Sequence, residues 1–316
     1  MSMSSAIANR SLARLTSAAM AGFLPPAEPV WPTRILVCAD DSASTGDALT
    51  AAKALARRAG AGVDVLAVFA PNVPVPDVPE KQGSARCEQH DRCAAADLIR
   101  AVRSEERQRF DGHAPWPVQL EVGSPVRLVL QNTQRTRADL VVIGMGSRDP
   151  LTRHGGISIP VCVARYTEVP MLAAAPALTA LPQKAVLLVD REAPDPALLR
   201  AAVRSVDGAA VIWVMIYSGT TTHGSDGVKH DKETLASILQ LVRREAVVVS
   251  KRILVRAVYR AGDPADALLS LARELGADLI VTPVHGAAGD VRSLVSNCAD
   301  QLLLTAPCSV LIVPTE

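Results

Sequence analysis

Aromatic residues are scarce: three Phe, three Trp and three Tyr in 316 positions. A core built from this chain is therefore aliphatic, made of Ala, Val and Leu. An excess of one charge is also missing. The formal net charge is +1, which gives no general basic surface for nucleic acid and no acidic tail. Six cysteines (Cys38, Cys87, Cys93, Cys162, Cys298, Cys308) are too few for a disulfide framework in a chain this long. Cys38 and Cys308 lie in strand-like runs, where a thiol is a small apolar filler. These features point to a reducing cytoplasm. No apolar run approaches the ~18 residues a membrane span needs. Two enzymatic signatures are absent as well: the Gly-x-Ser-x-Gly elbow and the Gly-x4-Gly-Lys-Ser/Thr phosphate loop.

What is present is apolar mass, 49% of the chain, in short Val/Ile-rich runs that alternate with Ala/Leu-rich stretches of helical period. That alternation suits parallel strands covered by helices. Residues 1–33 read as an arm. They carry Arg10 and Arg14, no acid before Glu28, and a patch Ala18 to Leu24 too short for a persuasive targeting segment. The first strand is Arg34 to Ala39, ending at Asp40. Ser44 with Asp47 reads as a capping box for a helix that stops before Gly60. Strands follow at 63–70, 118–122 and 139–144, with a charged helix over 92–110, a helix opened by Gly123-Ser124-Pro125, and another from Ile157 to Tyr166. A weak strand, Pro170 to Ala174, closes the unit. Residues 176–183 form an uncharged linker rich in Ala and Pro.

The pattern then restarts. Lys184 to Val189 is a strand ending at Asp190, and Asp195-Pro196 caps a helix. Further strands lie at 211–217, 253–259, 278–281 and 309–313, with a helix over about 231–247, a helix opened by Gly262-Asp263-Pro264 between 253–259 and 278–281, and a final helix before the last strand. Gly123 to Val142 matches Gly262 to Val281 at a constant offset, Ala138-Asp139-Leu140 falling on Ala277-Asp278-Leu279. The expected fold is α/β: two tandem doubly wound parallel five-stranded sheets, over 34–175 and 184–316. Such sheets bind ligands beyond the carboxyl ends of strands where strand order reverses. Two separate sheets are expected; one continuous sheet, or halves that fail to superpose with Asp40 over Asp190, would end the case for duplication.

The strand ending in Asp (Asp40, Asp190), the Gly-x-Pro helix start (Gly123, Gly262), the Ala-Asp-Leu strand and the ending Ala306 to Pro314 together resemble the universal stress protein family, within the adenine nucleotide alpha hydrolase-like group. The resemblance implies a stress-response protein. ATP-binding members carry Gly-x2-Gly-x9-Gly-Ser/Thr after the fourth strand, where glycines let main chain approach phosphate and amides with a helix N-terminus hold it. The matching positions are Gly144, Ser147, Ile157 and Ser158 in the first half, and Pro283, Gly286, Ser296 and Asn297 in the second. Both loops are degenerate. Pro283 has no N–H; a one-residue slip puts Gly156 at the first-half helix start, with Arg148, Arg153 and His154 adding charge. The resemblance thus implies ATP in one half at most, with Asp40 or Asp190 near the nucleoside or ordering its own loop. It also implies an internal pseudo-dimer through the last strands, and a homodimer edge at Ser309 to Val313.

Other constellations are weaker. Cys87, His90 and Cys93 supply three soft-metal donors, but zinc wants a fourth, so no metal is expected. His223 and His230 bracket a flexible Gly/Ser/Thr loop. With no base or metal cluster the chain reads as a binder, not an enzyme. The alternatives are a divergent interaction protein of the same fold and, third, a nucleotide hydrolase.

Overall fold

The structure, a computed structural model, describes residues 31–40, 42–69, 84–109, 115–146, 158–176, 178–189, 195–218, 225–285 and 292–315; over 84–95, 109, 217–218, 225–234, 261, 285 and 292–297 it describes backbone only. The first half runs β1 (Arg34–Ala39), α1 (Ser44–Ala59), β2 (Gly62–Phe69), α2 (Ser84–Arg109), β3 (Val118–Val122), α3 (Pro125–Thr136), β4 (Leu140–Gly144), α4 (Ile159–Tyr166) and β5 (Met171–Ala174). The second runs β6 (Lys184–Val189), α5 (Pro196–Arg204), β7 (Val211–Ser218), α6 (Ser225–Val249), β8 (Leu254–Ala261), α7 (Pro264–Leu275), β9 (Leu279–His285), α8 (Arg292–Thr305) and β10 (Ser309–Thr315).

The ten strands form one sheet in the order β3-β2-β1-β4-β5-β10-β9-β6-β7-β8. Read outward from the middle, each half has the same order, so the duplication stands although the expectation of two separate sheets does not. The halves merge because β5 and β10 pair antiparallel, Met171 with Ile312, Leu172 with Leu311 and Ala173 with Val310. Every other ladder is parallel. Continuity at the last strands is the internal pseudo-dimer itself. It also corrects the homodimer expectation: β10 is flanked by β9 and β5 and has no free edge. The Ala-rich β5, a poor strand by propensity, pairs in regular register because burial on both faces outweighs intrinsic preference.

Side chains alternate across the sheet with period two. Ile35, Val37, Leu140 and Val142 face the layer containing α1 and α5. Leu36, Val141, Ile143 and Val186 face the layer containing α3, α4, α7 and α8. Helices α2 and α6 run longer than the sequence pattern suggested, beginning at Ser84 and Ser225. Asp195 caps α5 as expected, accepting the Ala197 N–H at 2.6 Å, with Pro196 at the first helical position.

The repeated Ala-Asp-Leu motif has a structural task. Asp139 accepts the N–H of Thr33 at 2.8 Å and of Arg34 at 2.9 Å, plus the Thr33 hydroxyl at 2.8 Å. Asp278 accepts the N–H of Gln183 at 2.9 Å and of Lys184 at 3.0 Å. In return Asp139 and Asp278 donate their own N–H to the carbonyls of Arg34 and Lys184, each at 2.9 Å. One carboxylate per half thus satisfies the amides that lead into the first strand. Replacing Asp139 or Asp278 by Ala is expected to destabilise the fold by roughly 1–2 kcal/mol, the value of a charge-assisted pair at an exposed site. Denaturant unfolding checks this, and equal losses from the two variants test their equivalence.

Candidate functional site

The switch points of this sheet lie between β1 and β4 and between β6 and β9. In the first half the β1–β4 ladder runs from Ile35 with Leu140 to Cys38 with Ile143. Asp40 and Gly144 therefore emerge side by side at its carboxyl end.

Asp40 is half-buried and organises its own loop. Its Oδ1 accepts the Ser42 N–H at 3.0 Å, the Ser42 hydroxyl, and lies 3.1 Å from Thr45 Oγ1. Thr45 Oγ1 accepts the Asp40 N–H at 2.9 Å and sits 2.8 Å from the Asp40 carbonyl. With one hydrogen to give, that hydroxyl serves one of the two Asp40 oxygens at a time. The Ser42 and Ser44 hydroxyls are 2.6 Å apart. The result is an Asx-type turn lined with hydroxyls. The expected Ser44–Asp47 capping box is replaced by it: the N-cap is Ala43, without a side-chain bond, and the Ser44 hydroxyl faces Ser42 instead.

Gly144 is needed for space. A Cβ at this position would overlap the main chain and side chain of Ser44, the first residue of α1. Main chain does approach Gly144 closely, and in this structure the approaching chain belongs to the protein. Two residues on, Gly146 has φ 73° with open space where a side chain would stand. The motif spacing passed over Gly146; a Gly directly after a strand is the turn signal that marks it. Ser158 is the N-cap of α4, with its hydroxyl not used to cap, and the helix carries Pro160 in its first turn. Ser147, Gly156, Ile157, Arg148, Arg153 and His154 lie outside the described residues.

The second half differs. Pro283, the counterpart of Gly144, is inside β9 and pairs with Val313. The strand continues through Val284 and His285, whereas β4 stops at Gly144. Asp190, Gly286 and His223 lie outside the described residues. Ser296 and Asn297 fall in α8, and Cys87, His90 and Cys93 in α2, in both cases where only backbone is described. Among the described residues no group of three His, Cys, Asp or Glu side chains could hold a metal ion. A small apolar cleft, lined by Ala51, Leu55, Leu172, Leu178, Leu181 and Leu279, lies away from both switch points and, among the described residues, has no free polar group to orient a ligand. Its one hydroxyl, Ser205, donates to the Ala201 carbonyl at 2.6 Å.

Thiol chemistry at the first site is suppressed. Burial pushes the Cys38 thiol up, and the adjacent Asp40 charge pushes further. Cys298, in α8, is pushed up to about 12 by burial and by Asp263. Neither provides a thiolate at neutral pH. The first-half cleft can accept hydrogen bonds through Asp40 and the hydroxyls around it.

Gly144→Ala is expected to destabilise by up to about 3 kcal/mol, because backbone must move. Gly146→Ala is expected to lose roughly 1 kcal/mol, from the left-handed conformation alone. Denaturant unfolding distinguishes the two. Because the Cys38 and Cys298 pKa values rise on folding, the stability they contribute is whole below the free-thiol pKa and falls as pH climbs from about 9 toward 12. Both are expected to resist iodoacetamide at pH 8.5 in the native chain and to react once it is unfolded, as read by mass spectrometry.

Comparison with known proteins agrees with this architecture. The universal stress protein family model matches twice, over residues 32–174 and 183–314. The chain is similar in structure to a universal stress protein from Archaeoglobus fulgidus DSM 4304, at 15% identity and TM-score 0.63, covering 89% of this chain and 96% of that one. It is similar to a functionally unknown protein from Pseudomonas aeruginosa PAO1, at 18% identity and TM-score 0.56, covering 89% and 92%. A putative universal stress protein from Pseudomonas aeruginosa UCBPP-PA14 gives 17% identity and TM-score 0.56, covering 89% and 93%. No curated protein matches at a significant level. With both halves matched and the same strand order in each, this chain belongs to the universal stress protein family and carries two of its domains in tandem.

Proposed function

We propose that this protein binds an adenine nucleotide in its first half only and works as a stress-linked sensor, without turnover. The observation that carries the reading is the asymmetry of the two switch points. The first joins the Asp40 carboxylate and its hydroxyls to a strand end that turns left-handed at Gly146. The second has strand through the corresponding place, with Pro283 offering no N–H. Phosphate would lie toward the α4 N-terminus, where the Ser158 hydroxyl is not engaged in capping. Asp40 would accept from the nucleoside while ordering its loop. Among the described residues Cys38, Cys162, Cys298 and Cys308 form no disulfide, which suits a reducing cytoplasm.

A second reading, an interaction protein that no longer holds nucleotide, is favoured by one contact: Ser44 occupies the space over Gly144.

A thermal-shift titration with ATP and AMP separates them. Binding is expected to raise the melting temperature, by linkage worth about 2.7 kcal/mol at a hundredfold excess over Kd. Asp40→Asn is expected to weaken the shift at least tenfold in ligand concentration, and Asp190→Asn to leave it unchanged. No shift at millimolar nucleotide gives the second reading. Phosphate release above blank defeats the non-enzymatic reading.

A further inference from the structure

The sheet has two outer edges, and they are not alike. β3 is a five-residue strand whose Gln119 and Glu121 side chains bond each other at 2.6 Å and whose Glu121 meets Arg135. β8 is eight residues long and pairs with β7 residue for residue from Leu254 to Ala261, without a bulge. It contains no Pro. Proteins usually blunt such an edge by shortness, a bulge, Pro or a cover, since its unpaired backbone is a template for another strand.

The backbone direction along β8 can be followed. Leu254 donates its N–H to the Ala210 carbonyl at 2.9 Å, toward the β7 side. In a parallel ladder successive residues alternate, so Val255 and Ala257 turn their N–H and C=O to the outer edge, where no described strand pairs with β8. The strand also exposes apolar surface: Leu254 is 54% and Tyr259 46% exposed, and Val247 and Val248, in the last turn of α6 just before it, are 57% and 76%. Charge is the third feature. Residues 243–261 hold Arg243, Arg244, Lys251, Arg252, Arg256 and Arg260 against a single acid, Glu245, in a chain whose net charge is only +1. All but Arg260 are exposed, and Arg260 is paired with Glu274 of α7 at 2.7 Å. Arg256 lies over the Trp213 ring, 5.9 Å from its centroid, and is held at the strand.

We infer that β8 is a docking edge for an extended acidic segment of a partner protein, which adds to the sheet as an eleventh strand. The backbone at Val255 and Ala257 supplies the ladder, and the surrounding arginines select acidic side chains. A second copy of this chain is the poorer occupant, because two such edges bring like charges together. A lipid surface would meet the charge and the aliphatic side chains but leave the row of edge amides unsatisfied.

The test uses the full chain and an acetylated octapeptide of alternating Glu and Val, with the Lys–Val octapeptide as control, read by amide hydrogen exchange. The Glu–Val peptide is expected to slow exchange at Val255 and Ala257 at least tenfold, more weakly at high salt, while the Lys–Val peptide does nothing. Ala257→Pro, which removes an outward N–H, and the double change Arg252→Glu with Arg256→Glu, which leaves the backbone intact, are each expected to abolish protection. The inference is overturned by no protection at millimolar Glu–Val peptide, or by equal protection from both peptides. It is also overturned by protection that depends on protein concentration without peptide, which assigns the edge to self-association. Binding to phosphatidylserine vesicles with no peptide effect assigns the patch to lipid.

Discussion

The antiparallel pairing of β5 with β10 is the contact on which the molecule depends. A five-stranded unit of this kind ends in a strand that is apolar on both faces and has an unpaired edge. Here each half covers the other's. Leu172 and Ala174 join Leu311 and Val313 in one core layer, while Met171 and Ala173 join Val310 and Ile312 in the other. Both hydrophobic layers therefore pass through the seam. Across the seam Ala173 lies opposite Val310, Leu172 opposite Leu311 and Met171 opposite Ile312, so aliphatic side chains fill the interior on both faces. Polar groups follow the same division. The buried Ser309 hydroxyl accepts the Ala175 N–H at 3.0 Å across the seam, and Arg165 of α4 pairs with Asp300 of α8 near the surface. The hydrogen bond and charge of Asp300 hold the Arg165 guanidinium firmly ionised, but its exposure makes that pair a minor contributor beside the apolar seam.

Much of this was legible in the sequence, and the reason is local. Strand and helix order, the restart after the linker, the Asp195 cap and the two Gly-x-Pro starts follow from period and turn chemistry, which short windows encode. Gly123 and Gly262 both have positive φ, 148° and 111°, as a motif that places Gly before the N-cap suggests. Less legible was anything set by the meeting of distant segments. The merging of two sheets into one is decided by an edge, and an edge is a property of the assembled sheet. Asp139 looked like the start of a strand, yet its carboxylate serves amides more than a hundred residues earlier. Ser44 looked like half of a capping box, but Asp40 and Ser42 drew the local hydroxyls into another turn. At the site, spacing located Gly144 correctly at the strand end and could not say what stands over it.

The difference between the halves follows from the same seam. β10 offers seven residues to β9, from Ser309 with Leu279 to Thr315 with His285, whereas β5 offers four to β4. A longer partner strand draws the main chain after Pro283 into a ladder. The main chain after Gly144 is released after one further bond, from the Met145 N–H to the Ala174 carbonyl at 2.9 Å. A backbone amide engaged in a sheet is unavailable to an anion, because each N–H has one hydrogen to give. Lengthening the seam on one side therefore works against a phosphate cradle on that side, whatever the loop sequence. Shortening on the other side leaves Gly146 free to turn left-handed. A duplicated fold need not keep two equal halves, and in this chain the ladder lengths beside the seam set the two switch points apart.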